Sequence, residues 1–188
     1  MRTVLAALLA ASPGVAGADL GPYALSAFGG TTLDNTWDEV FLSPGSIEFT
    51  DSHLAGAAVS ARVAEPLDGL SIELEGQIVR HFGGQTHWEV NAPIAVARWS
   101  RFPWDETVRS SAAFGLGLSL AGETPAQEVE NEGDSQAFMA YWMIELEVAA
   151  PDSPWSLIGR LHHRSTAYGL FGEDGGSNAL AMGLRRRF

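Results

Sequence analysis

The sequence predicts an all-β protein, an eight-stranded antiparallel transmembrane β-barrel, and three observations support this fold class. About eight segments alternate apolar with polar or small residues, which is the two-residue period of a β-strand. The gaps between them alternate between short, proline- and aspartate-containing turns and longer loops, as in outer-membrane barrels. The chain ends on an aromatic residue, Phe188, directly after an alternating segment.

Composition narrows the class of protein further. A length of 188 residues fits one domain, and the 46% hydrophobic content is enough for a large apolar face. Only 18% of residues are charged, against about 25% in soluble domains. The net charge of -12 argues against nucleic acid as a partner, because phosphate binding needs a basic surface. The absence of cysteine excludes disulfides and thiolate metal sites.

The N-terminus predicts a secretory signal peptide over residues 1–18. A short start containing Arg2 precedes an apolar run over residues 4–11 and an Ala16-Gly17-Ala18 ending, with cleavage before Asp19. The alternative is a buried N-terminal helix. The run is too short for a transmembrane helix, and no later stretch is long and apolar enough for one. Residues 19–188 would then form the outer-membrane β-barrel domain.

The predicted strands follow one another along this domain. The clearest is the third, where Ile72 and Leu74 face one side and Glu73 and Glu75 the other. Pro93 interrupts the apolar row of the fourth strand, which predicts a bulge. The eight strands cover residues 20–29, 53–64, 70–80, 88–96, 108–119, 138–148, 155–166 and 178–188.

Alternation alone fits both a soluble barrel with an apolar interior and a membrane barrel with a polar interior. The polar rows mix acids with arginines and contain many Gly, Ala and Ser residues, which suits a narrow, crowded lumen. We therefore expect the apolar rows to face lipid in a bacterial outer membrane, with a soluble barrel as the alternative. The charged residues of the polar rows are Glu73, Glu75, Glu145, Glu147, Arg160, Arg164, Arg185 and Arg187.

A polar pair interrupts one lipid-facing row. His163 and Ser165 lie two residues apart on the seventh strand, on the side of Leu161. Counted from Trp155, the tilted strand has risen roughly 19 Å at His163, near the outer edge of an apolar band roughly 25 Å tall. Histidine as general base and serine as nucleophile is the chemistry of ester hydrolysis. The alternative is that both residues belong to an interfacial polar belt.

The sequence His163-Arg164-Ser165-Thr166-Ala167, the loop over residues 173–178 and the terminal strand resemble the C-terminal part of the PagL-type lipid A 3-O-deacylases. The resemblance implies an eight-stranded outer-membrane barrel that removes an ester-linked acyl chain from lipid A. Ser165 would be the nucleophile and His163 the base. The implied partners are lipopolysaccharide and outer-membrane lipid, and no cofactor is implied.

The site departs from the family pattern at two positions. Thr166 follows the serine, where the family has an asparagine that helps to hold the oxyanion. Ser177 stands where the family has its acid, so either Asn178 or Glu173 is expected to orient His163. Asp174 is a further source of the carboxylate, and Thr166 is expected near the oxyanion.

The remaining histidines predict no metal site. His162 is expected to face the lumen and pair with Glu145 or Glu147. His53, His81 and His87 lie near loops without the spacing of metal ligands, so no residue is predicted to bind a metal. The acidic gap over residues 121–136 is expected to be a solvated outside loop. The alternative to an enzyme is a small structural or interaction barrel that acts through its outside loops. The sequence leaves a homodimer open.

Overall fold

The computed structural model describes residues 21–188, which form one closed antiparallel barrel of eight strands. Each strand pairs with its neighbours in sequence, and the first pairs with the last. The predicted fold class is therefore confirmed. The predicted signal peptide, residues 1–18, lies outside the described residues. The strands are β1 (Tyr23–Leu33), β2 (Phe49–Leu67), β3 (Leu70–Gly83), β4 (Trp88–Trp99), β5 (Arg109–Ala121), β6 (Phe138–Ala149), β7 (Trp155–Ser165) and β8 (Gly176–Arg187).

The strands follow the predicted segments, with differences mainly at their ends. The largest difference is in β2, which has 19 residues because both of its ends extend into polar sequence. The register between β4 and β5 shifts between Asn91 and Ile94, so the bulge predicted at Pro93 is confirmed. Within residues 21–188, no helix has the length and apolarity that a membrane crossing requires.

Apolar side chains cover the outside of the barrel. On β3, Leu74 and Ile78 are each 51% exposed, whereas Glu73 and Glu75 of the opposite row are buried. Every strand from β2 to β8 carries at least two such exposed apolar side chains. This inside-out distribution is that of a barrel whose outer surface contacts lipid, and it argues against a soluble barrel.

The lumen is filled by ion pairs rather than by an apolar core. Arg98 donates hydrogen bonds to Glu73 at 3.0 Å, to Glu145 at 2.8 Å and to Glu147 at 3.1 Å. Arg160 donates to Glu145 at 3.0 Å, and its guanidinium lies 3.1 Å from Glu75. These charges are buried, which costs desolvation energy. Each charge has several partners of opposite sign, and their attraction offsets that cost. The predicted polar interior is therefore present.

The two ends of the barrel differ. At the short-turn end, Arg186 of β8 lies 5.5 Å over the ring of Trp155. A long arginine side chain near a membrane interface can extend toward water in this way. At the opposite end, which we call the long-loop end, the gap after β1 contains helix α1 (Trp37–Leu42) and a 3₁₀ turn (Pro44–Ser46). The gap after β5 contains helix α2 (Ala126–Glu132).

Helix α2 corrects one prediction from the sequence. The acidic gap was expected to be solvated, but Gln127 and Glu128 are buried at the mouth of the barrel. Glu128 accepts hydrogen bonds from Ser135 at 2.5 Å and Ser177 at 2.7 Å and lies 3.3 Å from Arg164. The helix turns one acidic face inward because a buried arginine of the lumen needs a counter-charge.

Candidate functional site

His163 and Ser165 lie on the outward row of β7, at its long-loop end. The strand register places His163 between Trp142 of β6 and Asn178 of β8, and places Ser165 beside Gly176. His163 is nevertheless only 8% exposed, because neighbouring side chains cover it. The pair is thus on the outward row, near the long-loop end of its strand.

Asn178 holds the imidazole of His163. The Asn178 Oδ1 atom lies 2.7 Å from His163 Nδ1, and Asn178 Nδ2 donates a hydrogen bond of 2.9 Å to the Asn35 carbonyl oxygen. Since a carbonyl oxygen can only accept, the second bond fixes which end of the amide faces the histidine. Nδ1 of His163 must then carry the proton, which leaves the Nε2 lone pair free to act as a base.

Aromatic rings pack the other face of the imidazole. The ring centroids of His163 and Trp142 are 4.3 Å apart, and Trp142 contacts Trp37 of α1 edge-on at 5.8 Å. Trp142 also lies 6.1 Å from Phe114, whose side chain is exposed on the lipid-facing surface. The loop after β1 therefore bends over the outside of the barrel and contacts both neighbours of His163, Trp142 through Trp37 and Asn178 through Asn35.

Ser165 stands at the end of the strand, where the chain turns sharply. Its Oγ accepts a hydrogen bond of 3.4 Å from the Ala167 N–H, and Ala167 and Tyr168 both have positive φ angles. Across residues 21–188, no hydrogen bond joins Ser165 to His163. A cavity of about 150 Å³ lies between them and the first loop, and its lining includes His163, Ser165, Asn178 and Trp37.

The two candidate orienting residues lie in different places. Asn178 contacts His163, whereas Glu173 is exposed in the loop after β7, and no contact between Glu173 and His163 occurs in the described chain. Ser177 points the other way, into the lumen, where it donates to Glu128. Thr166 is buried, and its carbonyl oxygen accepts from the Phe171 N–H at 3.0 Å.

A second pair on the outer surface resembles the first. Thr31 Oγ1 of β1 lies 3.1 Å from His53 Nδ1 of β2, also toward the long-loop end. This pair has no serine and no third hydrogen-bonded partner in the described residues. It provides a matched comparison for the hypothesis that His163 and Ser165 are only part of a polar belt.

The luminal histidines differ from the prediction. His162 pairs with Glu89 at 2.9 Å rather than with Glu145 or Glu147, and the second oxygen of Glu89 lies 2.9 Å from His81. His81 and His87 stack with ring centroids 4.3 Å apart. Burial and the neighbouring His81 lower the pKa of His87, in the loop between β3 and β4, to about 4. The spacing of these residues along the sequence did not indicate the group, because residues that a bent loop brings together have no fixed separation in the sequence.

Comparisons with known proteins agree with the fold. The chain is similar to the crystal structure of the outer membrane enzyme PagL, at 12% identity and a TM-score of 0.58, over 88% of this chain and 99% of that one. It is also similar to the crystal structure of Neisserial surface protein A (NspA), at 11% identity and a TM-score of 0.51, over 88% and 96%. No protein-family model and no curated protein matches the sequence.

The fold and the outer surface together define a small outer-membrane-type β-barrel. Both solved neighbours share this architecture, and they support the predicted bacterial outer-membrane localisation. Similarity at this level of sequence identity concerns the fold alone. A homodimer, which the sequence leaves open, stays open.

Proposed function

We propose that the protein is an outer-membrane lipid A ester hydrolase, of the 3-O-deacylase kind, that removes an acyl chain from lipopolysaccharide at the outer surface of the barrel. The observation that carries the proposal is the hydrogen-bonded chain from His163 through Asn178 to the Asn35 carbonyl, beside Ser165. A chain of this kind fixes the tautomer that a general base requires. A residue of an ordinary polar belt has no need of it.

The proposed reaction uses the free nitrogen of the histidine. Ser165 rotates its hydroxyl toward His163 Nε2, which takes the proton as Oγ attacks the ester carbonyl. The tetrahedral intermediate expels the sugar alcohol, which receives that proton from the imidazolium, and leaves an acyl-Ser165 ester. Water, deprotonated by His163, then releases the fatty acid. Asn178 keeps Nδ1–H directed away from the reacting atoms throughout.

The oxyanion of the intermediate needs hydrogen-bond donors near Ser165. The Ala167 N–H already points at Ser165 Oγ from 3.4 Å, and the positive φ angles of Ala167 and Tyr168 give the turn that directs it there. Donors at 2.7–3.1 Å from the developing oxygen stabilise it by about 3 kcal/mol each. We assign this role to the backbone of the Ser165–Ala167 turn, with Thr166 at its centre.

The surroundings suit a lipid substrate. Trp142 and Phe114 form an apolar surface beside His163 on the lipid side of the barrel, and the exposed Tyr168 and Leu170 lie in the loop just beyond Ser165. An acyl chain of the outer leaflet would run along the aromatic surface, while the ester lies at the height of the serine. An outward position beside exposed apolar side chains supports a lipid as the chemical class of substrate.

A non-enzymatic surface barrel is the alternative. The specific observation in its favour is that Neisserial surface protein A is nearly as similar to this chain as PagL is. In that case the loops with α1 and α2 would form the interaction surface, and His163 and Ser165 would have no effect on lipid A. The two functions therefore predict different results in one experiment.

The experiment is mass spectrometry of lipid A from Gram-negative cells that express the protein. Wild-type protein should yield lipid A lacking one ester-linked acyl chain, and Ser165→Ala and His163→Ala should each abolish the loss. His53→Ala is the matched control, since it removes the other outward histidine, and it should act as wild type. Unchanged lipid A with wild-type protein, or equal deacylation by Ser165→Ala, would show that the proposed function is wrong.

A further inference from the structure

A buried group of potential ligands lies inside the long-loop end of the barrel, separate from the Ser165 surface. His81 of β3, His87 of the following loop and Glu89 of β4 each present a ligand atom, and these atoms all lie within 4.8 Å of one another. The three residues are at most 4% exposed. Two imidazoles and one carboxylate form a common ligand set of zinc sites with an open position.

The hydrogen bonding of the group is incomplete. His81 Nδ1 and His87 Nε2 are buried and have no partner among the described residues. A buried nitrogen without a partner is unfavourable in a folded protein and calls for an occupant. Because neutral histidine offers only one lone pair, a cation that accepts it would satisfy the nitrogen without any change of fold.

Outer contacts of the group resemble those that orient metal ligands. The carboxylate of Glu89 is also held by His162 at 2.9 Å, as metal-binding carboxylates commonly are. Arg164 lies 3.7 Å from Glu89, but its charge is shared with Glu128 at 3.3 Å. A dication in the group would therefore not face an uncompensated arginine.

An acidic cavity borders the loop that carries His87, at Gly84. A cavity of about 300 Å³ at the long-loop end is lined in part by Asp34, Asp51, Glu130 and Gln127. Gln127 receives a 3.4 Å hydrogen bond from Gln85, two residues before His87 in the same loop. Negative charge at the mouth raises the local concentration of cations.

We propose that His81, His87 and Glu89 bind one divalent transition-metal ion of the zinc class, which ties the loop between β3 and β4 to the wall of the barrel. Zinc bonds of about 2.0–2.2 Å place ligand atoms about 3.3 Å apart, so the three side chains converge when the ion binds. The proposal is independent of the hydrolase proposal, because Ser165 and His163 face the opposite side of the wall.

The test is zinc binding to the purified barrel without a histidine tag, refolded in detergent and stripped with a chelator. Titration calorimetry and metal analysis should give one zinc per chain, together with a rise in the thermal unfolding temperature. His87→Gln should weaken binding at least tenfold and remove the temperature rise, as loss of a ligand does. His53→Gln is the control, because it removes an outward histidine and should bind as wild type.

Each result decides for or against the site. A circular dichroism spectrum like that of wild type shows that His87→Gln folds, and the position of His87 in a loop favours this. No saturable zinc binding by wild type, or equal affinity in His87→Gln, would overturn the proposal. Binding of calcium as tightly as zinc would also overturn it, since calcium selects oxygen ligands over imidazole.

Discussion

Replacement of Asn178 by alanine removes the acceptor that holds the Nδ1 proton of His163. It also removes the donor to the Asn35 carbonyl, and the two bonds measure 2.7 and 2.9 Å. Each neutral hydrogen bond contributes about 1 kcal/mol net, so the free energy of unfolding should fall by about 1–2 kcal/mol. The substitution should also slow catalysis, because the bond to His163 becomes charge-assisted, and therefore stronger, when the imidazolium forms.

A charge-assisted bond contributes about 1.5–3 kcal/mol, which exceeds the neutral bond of the ground state by about 0.5–2 kcal/mol. Since each 1.4 kcal/mol is about tenfold in rate, kcat should fall about twofold to thirtyfold in Asn178→Ala. The assay is acyl release from lipid A in detergent micelles, followed by mass spectrometry with purified protein. Asn178→Asp keeps an acceptor and adds charge, so it should retain at least the wild-type kcat. It should lose about 1 kcal/mol of stability, because a carboxylate cannot donate to the Asn35 carbonyl.

Glu173→Gln separates the two residues that the sequence offered for this role. Glu173 is exposed and makes no contact with His163 in the described chain, so its loss should leave kcat unchanged. Full activity in Asn178→Ala together with a large loss in Glu173→Gln would refute the reasoning. It would mean that the loop after β7 moves in the working enzyme and supplies a carboxylate.

Three further substitutions test the fold and the site. Glu145→Gln removes a buried charge shared by two arginines, and it should destabilise the barrel by about 3–5 kcal/mol in urea unfolding. Gly183→Ala places a methyl against the backbone of β1 and should cost about 1–3 kcal/mol in the same assay, whereas Gly159→Ala, with no atom within 4 Å, should be neutral. Trp142→Ala removes the ring 4.3 Å from His163 and should lower kcat about tenfold at unchanged expression, because a looser imidazole is less well oriented.

The strands could be predicted because each one carries its own signal. A two-residue period within a single segment identifies a strand, and the mixture of glutamate with arginine identifies the row that faces the lumen. The position of His163 near the long-loop end of its strand followed from counting residues from Trp155. Helices α1 and α2 could not be predicted in this way, since helices of six or seven residues have too few turns to show a period.

The partners of the site residues depend on register, which the sequence leaves open by one or two residues. Asn178 faces His163, and Ser177 faces the lumen, only because β8 pairs with β7 in one particular register. A slip of one residue would exchange their roles. The group of His81, His87 and Glu89 depends in turn on how a loop folds back, and Glu128 depends on a helix bending into the mouth.

The packed ion pairs of the lumen argue against a function as an open channel. Arg98, Arg160 and Arg185 are each at most 2% exposed, and with their glutamates they occupy the middle of the barrel. Water and ions therefore have no wide conduit through it, and the protein in a planar bilayer should show no steady single-channel conductance. Because the interior of the barrel is filled, the surfaces that can bind other molecules are its rim and its lipid-facing wall.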